Sequence, residues 1–136
     1  MNKILIDSGP LIALFNGNDL YHTASVAFIK ANQSELVTTI ASLTETLHLL
    51  HFSRNAQIDF LEWVYAGAVS IESIENADLP RIIELTKKYA DLPMDFADAC
   101  LVFLAEKLAI DTIATIDRDF DVYRIEGKRP FTVLIK

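Results

Sequence analysis

The run Ile4-Leu5-Ile6-Asp7-Ser8-Gly9-Pro10 carries an unbroken apolar stretch into an aspartate and then into a helix-opening proline. Apolar residues without polar alternation suit a strand covered on both faces, here Lys3–Ile6. Pro10 belongs in the first turn of a helix, expected over 10–15 and stopping near Asn16 and Gly17. The same alternation continues outward. Asp19 can cap a helix through about Ala31, and the β-branched stretch 36–41 (LVTTIA) reads as a second strand. Ser42-Leu43-Thr44-Glu45 has capping-box spacing and opens a helix to about Phe52. Another helix covers 56–65 and closes at Gly67, followed by a short strand at 68–71. Asp78 and Pro80 start a helix to about Tyr89, and Asp91-Leu92-Pro93 breaks the chain before a strongly apolar helix at 95–108. Strands at 112–116 and 131–135 complete the pattern. Strands separated by helices imply right-handed crossovers. The expected class is α/β, a three-layer sandwich with a mostly parallel central sheet.

A chain of 136 residues suits one compact domain, expected to span 1–136. With 51% hydrophobic and 23% charged residues it can build a core and is not globally disordered. Mean hydropathy is +0.27, so either helices are buried on several sides or apolar surface is kept for another chain. Uncharged stretches such as 8–18 and 36–44 are shorter than the roughly 18 apolar residues of a membrane span. Asp7 interrupts the apolar start, which argues against a signal peptide. The single cysteine, Cys100, cannot form an intrachain disulfide, which suits a reducing cytoplasm. Net charge is −7, so the chain does not coat itself in phosphate backbone non-specifically. Contact with nucleic acid would first require local neutralisation of carboxylates.

In open parallel sheets, ligands sit beyond the carboxyl ends of the strands, near the point where strand order reverses. Asp7, Glu45 and Asp117 all follow expected strands at that edge. Asp95 and Asp98 lie about 60° apart around a helix axis, in its first turn. Asp98 also aligns with Leu101, Val102 and Ala105, an apolar row that should face the sheet. A carboxylate aimed at a core is expensive unless paired, and no basic residue lies within a helical turn of it. Each acid alone has a structural reading: Asp7 and Asp95 as N-caps, Glu45 as the capping-box glutamate, Asp117 and Asp119 as turn residues. Their convergence is what needs explaining. Carboxylates gathered without lysine or arginine repel one another, and hard divalent cations are the natural partner. Oxygen-only ligation points to Mg²⁺ or Mn²⁺ rather than zinc.

Four motifs in order resemble the PIN-domain family: Ile4-Leu5-Ile6-Asp7-Ser8, Leu43-Thr44-Glu45, Phe96-Ala97-Asp98-Ala99, and Ala114-Thr115-Ile116-Asp117-Arg118-Asp119-Phe120. The resemblance covers the whole chain and is nearest to the small prokaryotic VapC-type toxins. It implies that Asp7, Glu45, Asp98 and Asp117 take the four acidic positions of a nuclease site. Asp7, Asp98 and Asp117 would bind metal, and Glu45 would bind through water or orient the nucleophile. Ser8 and Thr115 would be supporting hydroxyls, with Asp95 and Asp119 as additional candidate acids of the site. It also implies a metal-dependent endoribonuclease, cytoplasmic, acting on RNA and held in check by a protein antitoxin.

Arg118, Arg124, Lys128 and Arg129 concentrate near the last strand and are the candidate phosphate contacts, with a solvated loop as the plainer reading. Cys100 has no basic neighbour in sequence and reads as core packing. His48 and His51 share a helix face but lack zinc-protease spacing, which favours solvent-side or packing roles. Large hydrophobes in 10–15, 21–31 and 47–52 exceed what a two-sided sheet covers, so a homodimer is expected, with a further apolar groove open to the antitoxin. Three other readings stand beside the toxin: a housekeeping RNA-processing nuclease, a PIN-like interaction module with a weak or vestigial acid cluster, and a receiver-like phosphate-signalling domain. The last wants an aspartate after a middle strand and a lysine after a late one; the strand at 68–71 leads to Glu72 and no such lysine follows Ile116.

Overall fold

A computed structural model describes residues 2–135; Met1 and Lys136, the two ends of the expected 1–136 domain, lie outside the described residues. The elements are β1 (Lys3–Ile6), α1 (Ser8–Phe15), α2 (His22–Ala31), β2 (Glu35–Thr39), α3 (Ile40–Leu49), α4 (Arg54–Trp63), β3 (Ser70–Glu72), α5 (Leu79–Lys88), α6 (Phe96–Leu108), β4 (Thr112–Ala114), β5 (Arg124–Ile125), β6 (Arg129–Pro130) and β7 (Thr132–Leu134). Five strands form a parallel sheet in the order β3-β2-β1-β4-β7, and β5 and β6 form a small antiparallel ladder.

The side-chain period of two divides β1 between two cores. Leu5 faces one way with Val37 and Ile113, against Leu85, Leu101, Val102 and Leu104 of α5 and α6. Ile4 and Ile6 face the other way with Leu36 and Ala114, against Leu11, Leu43 and Phe60 of α1, α3 and α4 and against Leu50 just after α3. Three layers result, as the apolar run through Ile6 requires.

Chain order fixes the functional edge. From β1 the chain moves outward through β2 to β3, then returns to the opposite side of β1 for β4 and β7. The reversal therefore lies between β1 and β4, where Ile6 pairs with Ala114 and the Asp7 amide donates to the Ala114 carbonyl at 3.0 Å. Only three residues separate the end of α6 from β4, so α6 runs antiparallel to the strands and its first turn lies at their carboxyl edge. Ala109 makes the reversal in the left-handed region, φ 54°.

Several boundaries differ from the sequence reading. The second strand ends at Thr39, and Ile40 and Ala41 are already helical. Thr39, not Ser42, caps α3 by accepting from the Ser42 amide. The capping box does not form, because Ser42 is buried one turn inside the helix and Glu45 turns toward Ser8 instead. Asp19 accepts from the Tyr21 amide and closes a turn, so α2 starts only at His22. Ser53 starts α4 early at Arg54, and a wider helical turn at Val64–Ala68, which contains Gly67 at positive φ, is followed by the third strand at Ser70–Glu72. Asp95 precedes α6 without a side-chain cap bond. The last two sheet strands are shorter than 112–116 and 131–135: β4 ends at Ala114, where Thr115 begins the turn to Asp117, and β7 covers only Thr132–Leu134.

Gly9 marks where α1 passes closest to the edge: a Cβ there would lie 2.7 Å from Cγ1 of Ile116. Gly17 has open space and no positive φ. Gly9→Ala should therefore lose about 1–3 kcal/mol by overpacking, while Gly17→Ala should change stability little. Urea unfolding of the two variants checks this contrast, and equal stabilities would remove the close approach from the account.

Candidate metal centre

Each acidic side chain reaches the site for a different local reason. Asp7 is the first residue beyond β1 and also the N-cap of α1, its Oδ1 accepting from the Ser8 amide at 2.8 Å. Its Oδ2 accepts from the Thr115 hydroxyl at 2.8 Å, across the β1–β4 seam that the register creates. The same Thr115 oxygen accepts from the Asp117 amide at 3.0 Å and so sets the turn that follows β4. Asp117 caps a short 3-10 turn (Arg118–Asp121), accepting from the Asp119 amide at 2.9 Å. Asp98 arrives from the first turn of α6, where its Oδ2 accepts from the Tyr123 phenol at 3.2 Å.

One oxygen from each of Asp7, Asp98 and Asp117 lies within 4.8 Å of the others. Asp7 and Asp98 are buried and Asp117 is half-buried. None of the three has an ion-pair partner among the described residues. Burial pushes the Asp7 carboxyl up to about 6, helped by the charges of Glu45 and Asp117 and opposed by its bonds from Thr115 and Ser8. Burial, with the charges of Asp7 and Asp117, pushes Asp98 up to about 8 against the opposing Tyr123 bond. Two carboxylates that resist ionisation beside a third are a site lacking positive charge. Buried oxygen donors at this spacing fit a hard divalent cation, which would replace the shared protons.

Glu45 lies in the second turn of α3, half-buried, with its Oε1 accepting from the Ser8 hydroxyl. It therefore joins the centre through Ser8, next to Asp7, rather than as one of the three clustered oxygens. Asp119 is half-buried, its carboxyl raised first by burial and then by Asp117 and Asp95. Asp95 is exposed and lines a groove of about 900 Å³ beside the site, together with Glu45, Ile40 and Phe96.

The basic residues divide. Arg118 shares a hollow with Thr115, Asp117 and Tyr21 at the edge of the site. Arg124 does not reach the carboxylates: its guanidinium donates to the carbonyls of Asp121, Val122 and Tyr123 and holds the turn closed. Arg129 pairs with Glu126 at 3.1 Å, and Lys128 sits in the same hairpin. That hairpin is anchored by the Glu126 amide to Glu106, two turns along α6 and about 12 Å from Asp98 at 1.5 Å per residue. Clustering in sequence reflected the hairpin, not the site.

Cys100 is fully buried in the core on the α6 side of the sheet, and burial pushes its thiol up to about 11. His48 and His51 are exposed and stacked on each other, with His51 Nδ1 2.6 Å from the His48 carbonyl. The group that sequence reading missed is Tyr123. Its signal was present as an aromatic pair, Phe120 and Tyr123, three residues apart just after Asp117.

The sequence matches the family described as "PIN domain" over residues 4–126. This chain belongs to the PIN-domain family. A curated PIN relative, Ribonuclease VapC26 of Mycobacterium tuberculosis (strain ATCC 25618 / H37Rv), is 28% identical over 134 residues, covering 96% of this chain and 99% of that protein. The crystal structure of Mycobacterium tuberculosis VapC20, described as a Sarcin-Ricin loop cleaving toxin, superposes with a TM-score of 0.81 at 20% identity, covering 93% of this chain and 99% of that one. The PIN-like three-layer fold is thus shared.

Because both raised carboxyls bind protons more tightly in the folded state, their stabilising effect is complete below the ordinary carboxylate range. It is lost as pH rises through about 6 for Asp7 and about 8 for Asp98. In EDTA, wild type should therefore lose stability relative to Asp98→Asn between about pH 4 and about pH 8. Thermal unfolding across that range checks it; a difference independent of pH would take Asp98 out of the crowded cluster.

Proposed function

We propose that this PIN-domain chain is a Mg²⁺- or Mn²⁺-dependent endoribonuclease and the toxin of a toxin–antitoxin pair. The observation that carries this reading is the meeting of Asp7, Asp98 and Asp117 within 4.8 Å, without a basic partner among the described residues. The ribonuclease and toxin names of the two PIN relatives support the same direction.

Asp7, Asp98 and Asp117 are the residues that would hold the cation. When bound, it would supply Lewis acidity at a phosphodiester, a lowered pKa for an attacking water and charge to offset the developing phosphorane. The chain's own part is placement. Thr115 and the Ser8 amide fix Asp7, and the Asp119 amide fixes Asp117. Glu45, with Oε1 engaged by the Ser8 hydroxyl, would bind the cation through water or orient the attacking water. Arg118 is the basic side chain placed to meet a phosphate, with Asp95 and Asp119 setting the acidic rim that turns RNA away wherever no cation stands.

The proposal includes a cytoplasmic homodimer regulated by a protein antitoxin. Segments 10–15 and 21–31 give much of their apolar surface to the core, through Leu11, Ile12, Phe15, Phe28 and Ile29. The exposed hydrophobes Ile40, Leu79 and Phe96, of α3, α5 and α6, instead line the 900 Å³ groove. The exposed Leu49 and Phe52, from the 47–52 region, are offered to a second copy, and the apolar groove stays open to an antitoxin. No helix among the described residues is long and apolar enough to cross a membrane.

Purified protein should cleave RNA with Mg²⁺ or Mn²⁺ and stop in EDTA. Asp7→Asn and Asp98→Asn should each lower cleavage at least about 100-fold, since a ligand misplaced by an ångström has effects of that order. Full activity in either variant contradicts the assignment, and metal binding without cleavage would favour an interaction module. Light scattering at micromolar concentration should give twice the 15.2 kDa chain mass. Phe52→Glu should return it to the monomer value, and a monomeric wild type would remove the dimer from the proposal.

A further inference from the structure

We propose that Tyr123 is a positioning residue of the metal centre, its phenol holding the Asp98 carboxylate in the orientation that brings it to Asp7 and Asp117. The inference rests on the reading of those three carboxylates as cation ligands, and extends it to a group that touches no cation. Tyr123 is fully buried, and its one hydrogen bond from the ring end among the described residues is to Asp98 Oδ2, at 3.2 Å. Its ring meets Tyr89 at 4.9 Å and Phe120 at 5.0 Å, both edge to face, and Phe120 in turn meets Phe131 at 5.5 Å. Rings fixed on several sides cannot swing, so the O–H stands at a defined place. Asp98 has two side-chain torsions, and a bond to Oδ2 selects one orientation of the carboxylate from those the helix permits.

The connection back to Asp117 is short. Asp117 accepts from the Asp119 amide, and the Tyr123 amide donates to the Asp119 carbonyl at 3.0 Å. One turn thus carries a ligand at its start and the phenol that orients another ligand at its end. It ties the loop after β4 to the first turn of α6. Were Tyr123 only core filling, phenylalanine would serve among these aromatic neighbours, and the hydroxyl would bring only a desolvation penalty.

The test is Mn²⁺ titration of metal-free protein by calorimetry, with wild type, Tyr123→Phe and Tyr89→Phe. Tyr123→Phe keeps the ring and removes the orienting bond, so its Kd should weaken about tenfold or more, as for other groups that orient metal ligands. Tyr89→Phe deletes a phenol that accepts from the Arg124 amide at 2.9 Å, and it should keep the wild-type Kd. A wild-type Kd in Tyr123→Phe overturns this inference alone, as does equal weakening in both variants. A wild type that takes up no Mn²⁺ overturns the cation reading and this inference with it. If Tyr123→Phe does not fold, the ultraviolet difference spectrum on Mn²⁺ addition of the double variant Tyr21→Phe with Tyr89→Phe, in which Tyr123 is the buried tyrosine that remains, decides: a perturbed buried tyrosine supports the role, and a flat spectrum refutes it.

Discussion

Like charges brought together out of water are the constraint on which the rest of this structure depends. Three aspartates remote in sequence share one end of the sheet, two of them buried, with no lysine or arginine paired to them. Hydrophobic packing supplies the force that holds them there, because α6 buries Ala99, Cys100, Leu101 and Val102 in the turn after Asp98. The helix cannot retreat from the repulsion without exposing that surface. Burial first, and then the neighbouring acidic charges, displace both carboxyls upward, so protonation relieves the metal-free state in part.

The remaining architecture delivers these groups at close tolerance. Parallel register sets Asp7 beside Thr115, so a single hydroxyl can donate to one aspartate and accept from the amide of the next. The tight passage of Gly9 by Ile116 brings α1 and Ser8 close to that same edge. Ser8 then engages Glu45 from the helix that leaves β2. Asp7, Asp98 and Glu45 are thus each buttressed by a neighbour on a different element, while Asp117 is held by its own turn.

Much of this was legible because period and spacing report directly on backbone geometry. The unbroken Ile4-Leu5-Ile6 run requires cover on both faces, and the structure supplies it through two separate cores. Asp98 stood out as an acid in line with Leu101, Val102 and Ala105, all of which are buried. The failures have equally physical causes. Capping-box spacing at Ser42 and Glu45 was overridden by Thr39, the last strand residue, and by the pull of Ser8 on Glu45. The basic cluster from Arg124 to Arg129 looked close to Asp117, but a two-stranded hairpin carries it toward the far end of α6. Tyr123 was hidden because contact between a phenol and a helix 25 residues earlier is a property of packing, not of local pattern.

The claim that these carboxylates form a cation site by crowding is tested most directly by four thermal melts: wild type and Asp98→Ala, each in EDTA and in millimolar Mn²⁺. Without metal, removing one repelling charge should leave the melting temperature equal to wild type or higher. With Mn²⁺, wild type should gain stability as RT ln(1 + [L]/Kd), and Asp98→Ala should lose most of that gain. Equal Mn²⁺ shifts in the two proteins would contradict the account and leave Asp98 as a helix-terminus residue alone.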